Sequence, residues 1–341
     1  MPGQAVIVVG ASAGGVEALL TLAEVLPPDL PAAVLVVLHT SAHPGALPRL
    51  LSRRGPLPAN HAADGAPLQP GRIYVAPGGH HLLVARGHVH VVQGPQENGF
   101  CPAVDPLFRS AAEAYGPHVI GVILSGHLDD GTAGLLAVKR HGGFAVVQEP
   151  DEAFAPGMPR SALAYVAVDY TLPLASMGPL LGRLAAAVVE GAEHMPDDAP
   201  EMASADHGVL DVTDGGEGTP APFSCPECGG VLSETRDGGL LCFRCQVGHR
   251  FSPESVAADQ QTALGYTLWR ALTALNERVL LLQHLAGEAR HRRDPLARRR
   301  FEAQARAAEV QKEQMRQVLR AVTDAGDDPG DERPPHDEAR L

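Results

Sequence analysis

The stretch from Val6 to Gly15 reads VIVVGASAGG and is followed by a helical run from Val16 to Leu26. A short apolar run that ends in a glycine-rich bend and then opens an amphipathic helix predicts a strand, a turn and a helix. Ser12 lies at the tip of the bend. Glycines lower the cost of a sharp turn, and nearby amide N–H groups, that of Ala13 among them, can face developing negative charge. The bend is therefore a candidate site for a nucleophile.

Several interpretations of the bend stay open on its sequence alone. A dinucleotide-binding loop reads G-x-G-x-x-G with an acidic residue about twenty positions later, but Ser12 replaces the second glycine and the next apolar run ends in His39. A tight turn or a phosphate cradle also fits the small residues. Gly10, Ser12 and Gly14 match the G-x-S-x-G elbow of serine hydrolases as well, although the usual hydrolase fold places its histidine last in the chain.

The composition narrows the class of protein. A formal net charge of −13 over 341 residues argues against general nucleic-acid binding, which needs a clustered basic surface. No run of about eighteen or more apolar residues occurs, and the first residues lack the basic start and the length of a secretory signal. We therefore predict a cytoplasmic protein that neither inserts into a membrane nor binds nucleic acid.

The order of apolar runs predicts an α/β fold. From residue 5 to about 185, strands alternate with helical runs, which favours a mostly parallel, doubly wound (Rossmann-like) sheet covered on both faces. An antiparallel hairpin is expected from His80 to Gln93. Ligands of open α/β sheets bind beyond the carboxyl ends of the strands, so we expect Ser12, His39 and the loop from Ser125 to Gly131 to share one rim. The candidate strands are Ala5 to Val9, Ala33 to Leu38, Ile73 to Ala76, Val119 to Leu124, and Ala145 to Gln148.

The remaining chain divides by composition. The α/β domain is predicted over residues 1–188, and residues 189–222 indicate an acidic, flexible linker that separates two domains, because they carry Asp and Glu without Lys or Arg. A cysteine-rich module occupies 223–252. A helical hairpin is predicted over 253–325, broken at Asp294 and Pro295, and 326–341 indicates a disordered tail. The apolar stripe of the first helix is Leu268, Leu272, Leu275, Val279 and Leu282.

Four of the five cysteines lie between Cys225 and Cys245. Two cysteines three residues apart on a glycine-containing turn can present both sulfurs to one tetrahedral ion. The spacing predicts a zinc-ribbon-like module with a closed, structural zinc site rather than a redox dithiol. Cys225, Cys228 and Cys245 serve in either solution, and the fourth ligand is His249, which we prefer, or Cys242.

A serine nucleophile needs a histidine base, and the base works best when a buried carboxylate fixes its tautomer and stabilises its cation. His39 is the best base by position, because it closes an apolar run that ends at the same rim as Ser12. By the same argument, Asp129 and Asp130 are the best carboxylates. The sequence thus offers the parts of a triad.

Six stretches follow one another along the first 180 residues or so: VVGASAGGVEAL, LVVLHTSAHPGALPRLL, DGAPLQPGRIYVAPGGHHL, AVDPLFRSAA, GVILSGHLDDGTAGLLAVKRHGG and FAPGMPRSAL. As a set they resemble the catalytic domain of the chemotaxis protein-glutamate methylesterase family, the CheB type. The resemblance implies a doubly wound parallel sheet and a triad in the chain order serine, histidine, aspartate. By position, Ser12 is then the nucleophile, His39 the base and Asp130 the orienting carboxylate, with the backbone N–H of His127 helping to hold the oxyanion.

In this family the enzyme removes methyl esters from glutamyl side chains of chemoreceptors, and members also deamidate glutamine side chains. The resemblance implies a carboxylic ester hydrolase of chemotaxis-type signalling, whose substrate and partner is a methylated chemoreceptor or another signalling protein. No cofactor is expected for this catalysis. Two other hypotheses are a catalytically inactive scaffold that recruits partners through its zinc and helical parts, and a nucleotide-dependent enzyme that uses the glycine bend for phosphate.

The sequence departs from the family at several points. The family usually opens with a receiver domain whose phosphorylation unmasks the site, whereas this sequence starts at the catalytic strand, so we expect a stand-alone form without phosphorylation control in cis. Residues 98–102 read NGFCP where the family often carries basic residues, and HLD at 127–129 replaces a segment usually built from Met, Gly and Asn. These departures favour a changed substrate over changed chemistry. The cysteine module and helical tail resemble an extension of stand-alone members, and the apolar stripe predicts docking of a partner helix or a homodimer.

Overall fold

The computed structural model describes residues 4–39, 45–191 and 218–324 of the chain. The chain forms two compact units, residues 1–256 and 257–341. The predicted tail at 326–341 lies outside the described residues.

A parallel sheet organises the first unit. Its seven strands stand in the order β3, β4, β2, β1, β7, β8, β9, and β5 pairs with β6 in a separate antiparallel hairpin. All neighbours in the large sheet are parallel. The nine strands of the sheet and the hairpin are β1 (Ala5–Ala11), β2 (Ala32–Leu38), β3 (Ala59–His61), β4 (Arg72–Val75), β5 (His81–Ala85), β6 (His88–Val92), β7 (Val119–Ile123), β8 (Phe144–Gln148) and β9 (Tyr170–Leu172).

Helices cover both faces of this sheet, which confirms the predicted doubly wound class. Helices α1, α2 and α6 supply apolar side chains to one core, and α3, α4 and α5 pack with the β5–β6 hairpin in the other. The five candidate strands correspond to β1, β2, β4, β7 and β8, whereas the short edge strands β3 and β9 were not predicted. The helices are α1 (Gly15–Val25), α2 (Leu47–Arg54), α3 (Val104–Tyr115), α4 (Thr132–Arg140), α5 (Gly157–Tyr165) and α6 (Leu174–Gly191).

Strand β1 lies at the centre because both of its faces are apolar. Every residue of β1 and of β2 is buried, as expected for parallel strands covered by helices on both sides. The chain leaves β1 toward β2 on one side and later returns to pair β7 with its other side. The carboxyl ends of β1, β2 and β7 therefore meet at a topological switch point, where open α/β sheets bind their ligands.

The cysteine-rich module forms an antiparallel sheet in the order β10, β11, β12, β13. We predicted a domain separated by a linker, but the module belongs to the same compact unit as the parallel sheet. Backbone pairing explains this, because the Asn98 N–H donates to the Arg250 carbonyl at 2.8 Å and the Arg250 N–H to that of Gln96 at 3.3 Å. The strands are β10 (Thr219–Ser224), β11 (Val231–Asp237), β12 (Leu240–Cys245) and β13 (Arg250–Phe251).

The ends of the predicted linker need correction. Most of residues 189–222 lie outside the described residues, but 189–191 continue α6 because Val188 and Val189 pack against the core. Residues 219–222 belong to β10, which pairs with β11 from Thr219 onward. The described structure therefore continues three residues into the start of the predicted linker, and β10 takes up its last four residues.

The C-terminal part is a helical hairpin. Helix α7 runs over Pro253–His291 and helix α8 over Pro295–Asp324, with the break at Asp294 and Pro295 where it was predicted. Val279 and Leu282 of the predicted stripe are buried in a cluster with Ala305 and Ala308 of α8, and the partly buried Phe301 packs against this cluster. Within the described residues, none of the helices has the length and apolar character needed to cross a membrane.

Candidate active site

The serine turn is fixed by hydrogen bonds to a second loop of the sheet edge. Gly14 takes φ +70° at the start of α1, a conformation that glycine adopts readily. The Ser12 N–H donates to the Ser125 carbonyl at 2.9 Å. The buried Ser125 hydroxyl donates to the Ala13 carbonyl at 2.7 Å and accepts from the Ala155 N–H at 2.9 Å. Three loops thereby hold the position of the Ser12 side chain.

His39 joins Ser12 to Asp130. The imidazole Nδ1 lies 3.1 Å from the Ser12 Oγ, and Nε2 lies 2.7 Å from the Asp130 Oδ2. The side chains of His39 and Asp130 are 4% and 2% exposed. With its proton on Nε2, the ring donates to Asp130 and presents the Nδ1 lone pair to the serine hydroxyl. The two ring nitrogens thus have the reverse roles of the usual triad, in which Nε2 faces the serine.

Asp130 is surrounded by donors. Its Oδ2 accepts from the Val104 N–H at 2.7 Å, and its Oδ1 accepts from the Asn98 amide at 3.0 Å and the Asp105 N–H at 3.3 Å. Val104 and Asp105 open helix α3, whose N-terminus favours negative charge. Burial alone would raise the pKa of Asp130, but the hydrogen bond and charge of His39, with those backbone and amide donors, hold it below its usual value. Asp130 is therefore an anion.

The neighbouring carboxyls differ from Asp130. Burial, reinforced by the Asp130 charge, raises the pKa of Asp105 well above its usual value. Burial also raises the pKa of Asp129 to about 6, with contributions from Glu254 and Asp130, although hydrogen bonds from Ser252 and Ser255 oppose the shift. Asp129 accepts those two hydroxyls at 2.8 and 3.3 Å, whereas Asp130 contacts His39. Of the two candidate carboxylates, the structure brings Asp130 to the histidine.

The turn at residues 96–100 contacts both Asp130 and His39, and sequence reasoning missed its role. Asn98 is 5% exposed, and its amide also donates to the Asp105 Oδ2 at 3.1 Å. The Phe100 ring stacks on the His39 ring, with centroids 3.6 Å apart and planes 8° from parallel. Asn98 has φ +53°, which asparagine tolerates better than most residues. The Asn-Gly pair predicts a turn, but nothing local shows what the turn touches.

The predicted oxyanion donors lie on the two loops that meet at Ser12. In the described part of the chain, no acceptor receives the backbone N–H of Ala13 or of His127. Gly126, the residue before His127, is fixed by donating its N–H to the Ala155 carbonyl at 2.9 Å and accepting from the Met158 N–H at 2.8 Å. A Cβ at Gly126 would lie 2.9 Å from the Ser12 Cβ. The role of these two donors stays a prediction.

The module contains a cluster of the kind that holds a metal ion. One ligand atom each from Cys225, Cys228, Cys245 and His249 lies within 4.8 Å of the others. The Cys228 and Cys245 sulfurs are 3.6 Å apart, and the His249 Nδ1 is 3.7 Å from the Cys225 sulfur and 3.4 Å from that of Cys245. A tetrahedral ion with Zn–S bonds of about 2.3 Å places its sulfurs roughly 3.8 Å apart. The donor set therefore fits such an ion.

Comparisons with known proteins agree with this geometry. A family model described as CheB methylesterase matches residues 7–181, just over half of the chain. The protein-glutamate methylesterase/protein-glutamine glutaminase 5 of Anaeromyxobacter dehalogenans is 42% identical over 183 residues, 52% of this chain and 51% of that protein. The protein-glutamate methylesterase/protein-glutamine glutaminase 1 of Caulobacter vibrioides is 38% identical over 191 residues, 55% and 56% of the two chains.

A solved structure is similar as well. The crystal structure of the Thermotoga maritima CheB methylesterase catalytic domain is 34% identical and has a TM-score of 0.50, over 53% of this chain and 98% of that one. The chain spans about half the length of the curated relatives it matches. The match of the family model over residues 7–181 shows that the chain belongs to the CheB methylesterase family.

Proposed function

We propose that the chain is a serine hydrolase that removes methyl esters from glutamyl side chains of chemoreceptor-like proteins. The observation that supports this most directly is the hydrogen-bonded series of Ser12, His39 and Asp130 at the carboxyl edge of the parallel sheet. Relatives with 38–42% identity carry the name protein-glutamate methylesterase/protein-glutamine glutaminase. An inactive scaffold would have no need of a buried and fully hydrogen-bonded carboxylate behind the histidine.

In the proposed first step, the Ser12 Oγ attacks the ester carbonyl while the His39 Nδ1 takes the hydroxyl proton. The Nε2–H of His39 meanwhile donates to Asp130, whose negative charge stabilises the imidazolium. The tetrahedral oxyanion lies against the backbone N–H groups of Ala13 and His127, which are proposed as its donors. His39 then returns the proton to the departing methoxide, and methanol leaves an acyl-enzyme on Ser12.

In the second step, water attacks the acyl-enzyme with His39 again as the base. The proton passes back to the Ser12 Oγ, and the glutamyl carboxylate is released. A glutamine side chain offers the same carbonyl with ammonia in place of methanol as the leaving group. Deamidation of glutamine is therefore a second proposed reaction of the same site.

We propose that Cys225, Cys228, Cys245 and His249 bind one zinc ion in a structural role. Thiolate and imidazole donors at tetrahedral spacing are the usual ligands of structural zinc. Cys242 lies outside this cluster, and its sulfur is 3.8 Å from the Leu240 carbonyl oxygen. Cysteines stay reduced and able to bind metal in the cytoplasm, which is the proposed place of the reaction.

A homodimer through the C-terminal helices also stays a proposal. Large apolar side chains of α7 are exposed, namely Leu264, Tyr266, Trp269, Leu280 and Leu281. Such side chains on one helix favour a helical partner. The molar mass of the protein in solution, measured by light scattering, decides this point: the mass of one chain contradicts the dimer.

The proposed activity is tested with a synthetic receptor peptide that carries a glutamyl γ-methyl ester. The wild-type protein should release methanol and react with a fluorophosphonate, and Ser12→Ala should do neither while its circular dichroism spectrum stays unchanged. Undiminished methanol release by Ser12→Ala would remove this serine from the mechanism. A wild-type protein that reacts with the fluorophosphonate but releases no methanol would place the substrate outside glutamyl esters.

A further inference from the structure

We infer that the cysteine–histidine module is a positioning device for the active site: it holds the turn at residues 96–100, and this turn holds Asp130 and His39. The catalytic part of the inference rests on the proposed hydrolase function, but its structural part can be measured without any substrate. Asn98 and Phe100 are positioning residues, because they act through the triad.

The module forms hydrogen bonds with both the backbone and the side chain of Asn98 in the turn. The N–H of Asn98 donates to the Arg250 carbonyl at 2.8 Å, and the N–H of Ser252 donates to the Asn98 Oδ1 at 2.9 Å. The other end of the same amide, Nδ2, donates to the Asp130 Oδ1 at 3.0 Å. A single buried side chain therefore connects the module to the triad carboxylate. Since an amide oriented at both ends cannot rotate freely, loss of the Ser252 contact also loosens the Asp130 contact.

The turn carries a second contact to the triad. Glu97 and Phe100 pair their backbones, with N–H to carbonyl distances of 3.1 and 2.9 Å, so the turn moves as one piece. Phe100 stacks on the ring of His39. A displacement of the turn would therefore change both the hydrogen bond that Asp130 accepts from Asn98 and the face on which the His39 ring rests. Displacements near 1 Å at a catalytic group can lower a rate by about 10².

The contacts between the module and the turn begin next to His249, a proposed metal ligand. The His249 carbonyl accepts the Cys245 N–H at 3.1 Å, which closes the turn from Cys245 to His249, called the second knuckle. Arg250 follows this turn directly. The turn from Cys225 to Cys228, called the first knuckle, also contacts residue 96. With the Gln96 amide oriented so that its nitrogen is the donor, that nitrogen lies 2.6 Å from a carboxylate oxygen of Glu227. Glu227 of the first knuckle and Arg250, the residue after the second, thus contact residues 96–98. A small module of this kind depends on its ion for folding, so metal loss should release the turn.

Ion pairs stabilise the turn and the module separately, and serine hydroxyls add a further contact between the module and the catalytic part. Arg109 of α3 donates to both carboxylate oxygens of Glu97, at 2.7 and 2.6 Å. The guanidinium of Arg250 in the module donates to Asp237 at 3.1 Å. On the far side of the turn, Asp129 accepts the hydroxyls of Ser252 and Ser255, where α7 begins. The hydroxyls of Ser252 and Ser255 therefore attach the end of the module and the start of α7 to Asp129, the neighbour of Asp130.

The test compares Cys228→Ser with Cys242→Ser in the full chain. Cys228 belongs to the cluster and is exposed, whereas Cys242 lies in the same module outside the cluster. We expect zinc to be lost both from Cys228→Ser and from wild-type protein treated with a chelator, as measured by mass spectrometry. Hydrogen exchange at the amides of residues 97–100 should then accelerate by about tenfold or more, while exchange in β1 stays unchanged. The rate of fluorophosphonate labelling at Ser12 should fall in parallel, and Cys242→Ser should match wild type in all three measurements.

Loss of zinc with unchanged protection at 97–100 and unchanged labelling would overturn the inference, and so would wild-type protein that contains no bound metal. The exchange measurement needs no hydrolase activity, so a wild-type protein that exchanges as expected but releases no methanol would refute the proposed reaction alone. A second variant, Asn98→Gly, keeps the φ of +53° accessible and removes the side chain that carries the amide. It should retain its zinc and lower kcat by about tenfold with KM within about twofold; an unchanged kcat would count against the positioning role.

Discussion

Ser12 and Asp130 lie at opposite ends of one hydrogen-bonded series, and the protein holds them in different ways. The Ser12 turn is held by the strand and helix it connects and by Ser125, all parts of the parallel-sheet fold. The Asp130 carboxylate is held by the start of α3 and by Asn98, whose other end is bound 154 residues away at Ser252. The Ser12 turn, with the proposed nucleophile, is called the nucleophile half and lies within the residues that match the family model. Asp130 and the groups around it are called the carboxylate half, which takes part of its support from the cysteine-rich module. The two halves should therefore respond to different perturbations.

The largest expected effect comes from removing the charge of the carboxylate half. Asp130→Asn keeps the shape of the side chain but cannot accept hydrogen bonds at both ends. Its NH₂ group must face either the His39 Nε2–H and the Val104 N–H, or the Asn98 amide and the Asp105 N–H. In the first orientation the histidine loses the acceptor that fixes its tautomer, and in both it loses the anion that stabilises its cation, so kcat should fall by about 10⁴. Steady-state methanol release measures this change.

A second readout of Asp130→Asn concerns Asp105. The Asp130 charge contributes to the raised pKa of Asp105, although burial is the larger cause. Replacing Asp130 should therefore lower the pKa of Asp105, which NMR titration of the carboxyl carbon can follow. If kcat of the variant stays within tenfold of wild type, the nucleophile half works alone and the triad assignment fails.

The nucleophile half is tested by Gly126→Ala. The added Cβ would overlap the Met158 side chain and lie 2.9 Å from the Ser12 Cβ, which cannot move without its turn. We expect kcat to fall by about 10 to 100 times with zinc content and exchange at residues 97–100 unchanged. Gly265→Ala in α7 is the control, because nothing lies within 4 Å of the new Cβ. Faster exchange at 97–100 in Gly126→Ala would show that the two halves are not independent.

The sequence predicted the nucleophile half more completely than the carboxylate half. The apolar run before Gly10 and the helical pattern after Gly14 are local signals, and they place Ser12 on a strand-to-helix turn without any knowledge of the rest. His39 and the 125–131 loop followed from the rule that parallel strands end at one rim. Asp129 and Asp130 could not be separated by such signals, because adjacent residues of a loop point in different directions that only the fold determines.

Contacts between distant segments account for what the sequence did not predict. The Asn-Gly turn at 98–99 is visible in the sequence, but its contacts join residues 32 and 154 positions apart. The fourth metal ligand was open for a related reason. Cys242 and Cys245 are three positions apart on β12, and residues an odd number apart on a strand point to opposite faces. His249, on the turn beyond, lies with Cys245 in the cluster.

A smaller effect is expected from the ring that lies against the base. Phe100→Leu removes the flat surface stacked on His39 but keeps an apolar side chain of similar size. A stacked pair contributes about 0.5–1.5 kcal/mol beyond buried area, so kcat should fall by about threefold to tenfold. Phe301→Leu in α8 is the matched control, since Phe301 packs in the core of the helical hairpin. An unchanged kcat in Phe100→Leu would show that, of Asn98 and Phe100, only Asn98 contributes to the positioning role of the turn.

The smallest expected effect is on thermal stability, and it concerns Asp129, which precedes Asp130 in the chain. Burial raises the pKa of Asp129 to about 6, with Glu254 and Asp130 adding negative charge nearby. A carboxyl whose pKa is raised by folding costs the folded state free energy above pH 6 and none below its unfolded pKa near 4. Asp129→Asn still offers an oxygen to Ser252 and Ser255. The thermal midpoint of the variant at pH 7.5 should therefore lie a few degrees above that of wild type, because each kcal/mol of unfolding free energy shifts the midpoint by about 2–4 °C.

The pH dependence identifies the cause of that gain. The difference in thermal midpoint between Asp129→Asn and wild type should shrink steadily as the pH falls from 6 to 4, because wild-type Asp129 becomes protonated in the folded state over this range. Asp151→Asn, at an exposed position, is the control for loss of a negative charge at the surface. If Asp129→Asn were instead less stable at pH 7.5, the two serine hydroxyls would stabilise the charged carboxylate by more than burial costs. The module would then be attached to the catalytic part by that charge, and acidification would weaken the support of the carboxylate half while leaving the Ser12 turn unaffected.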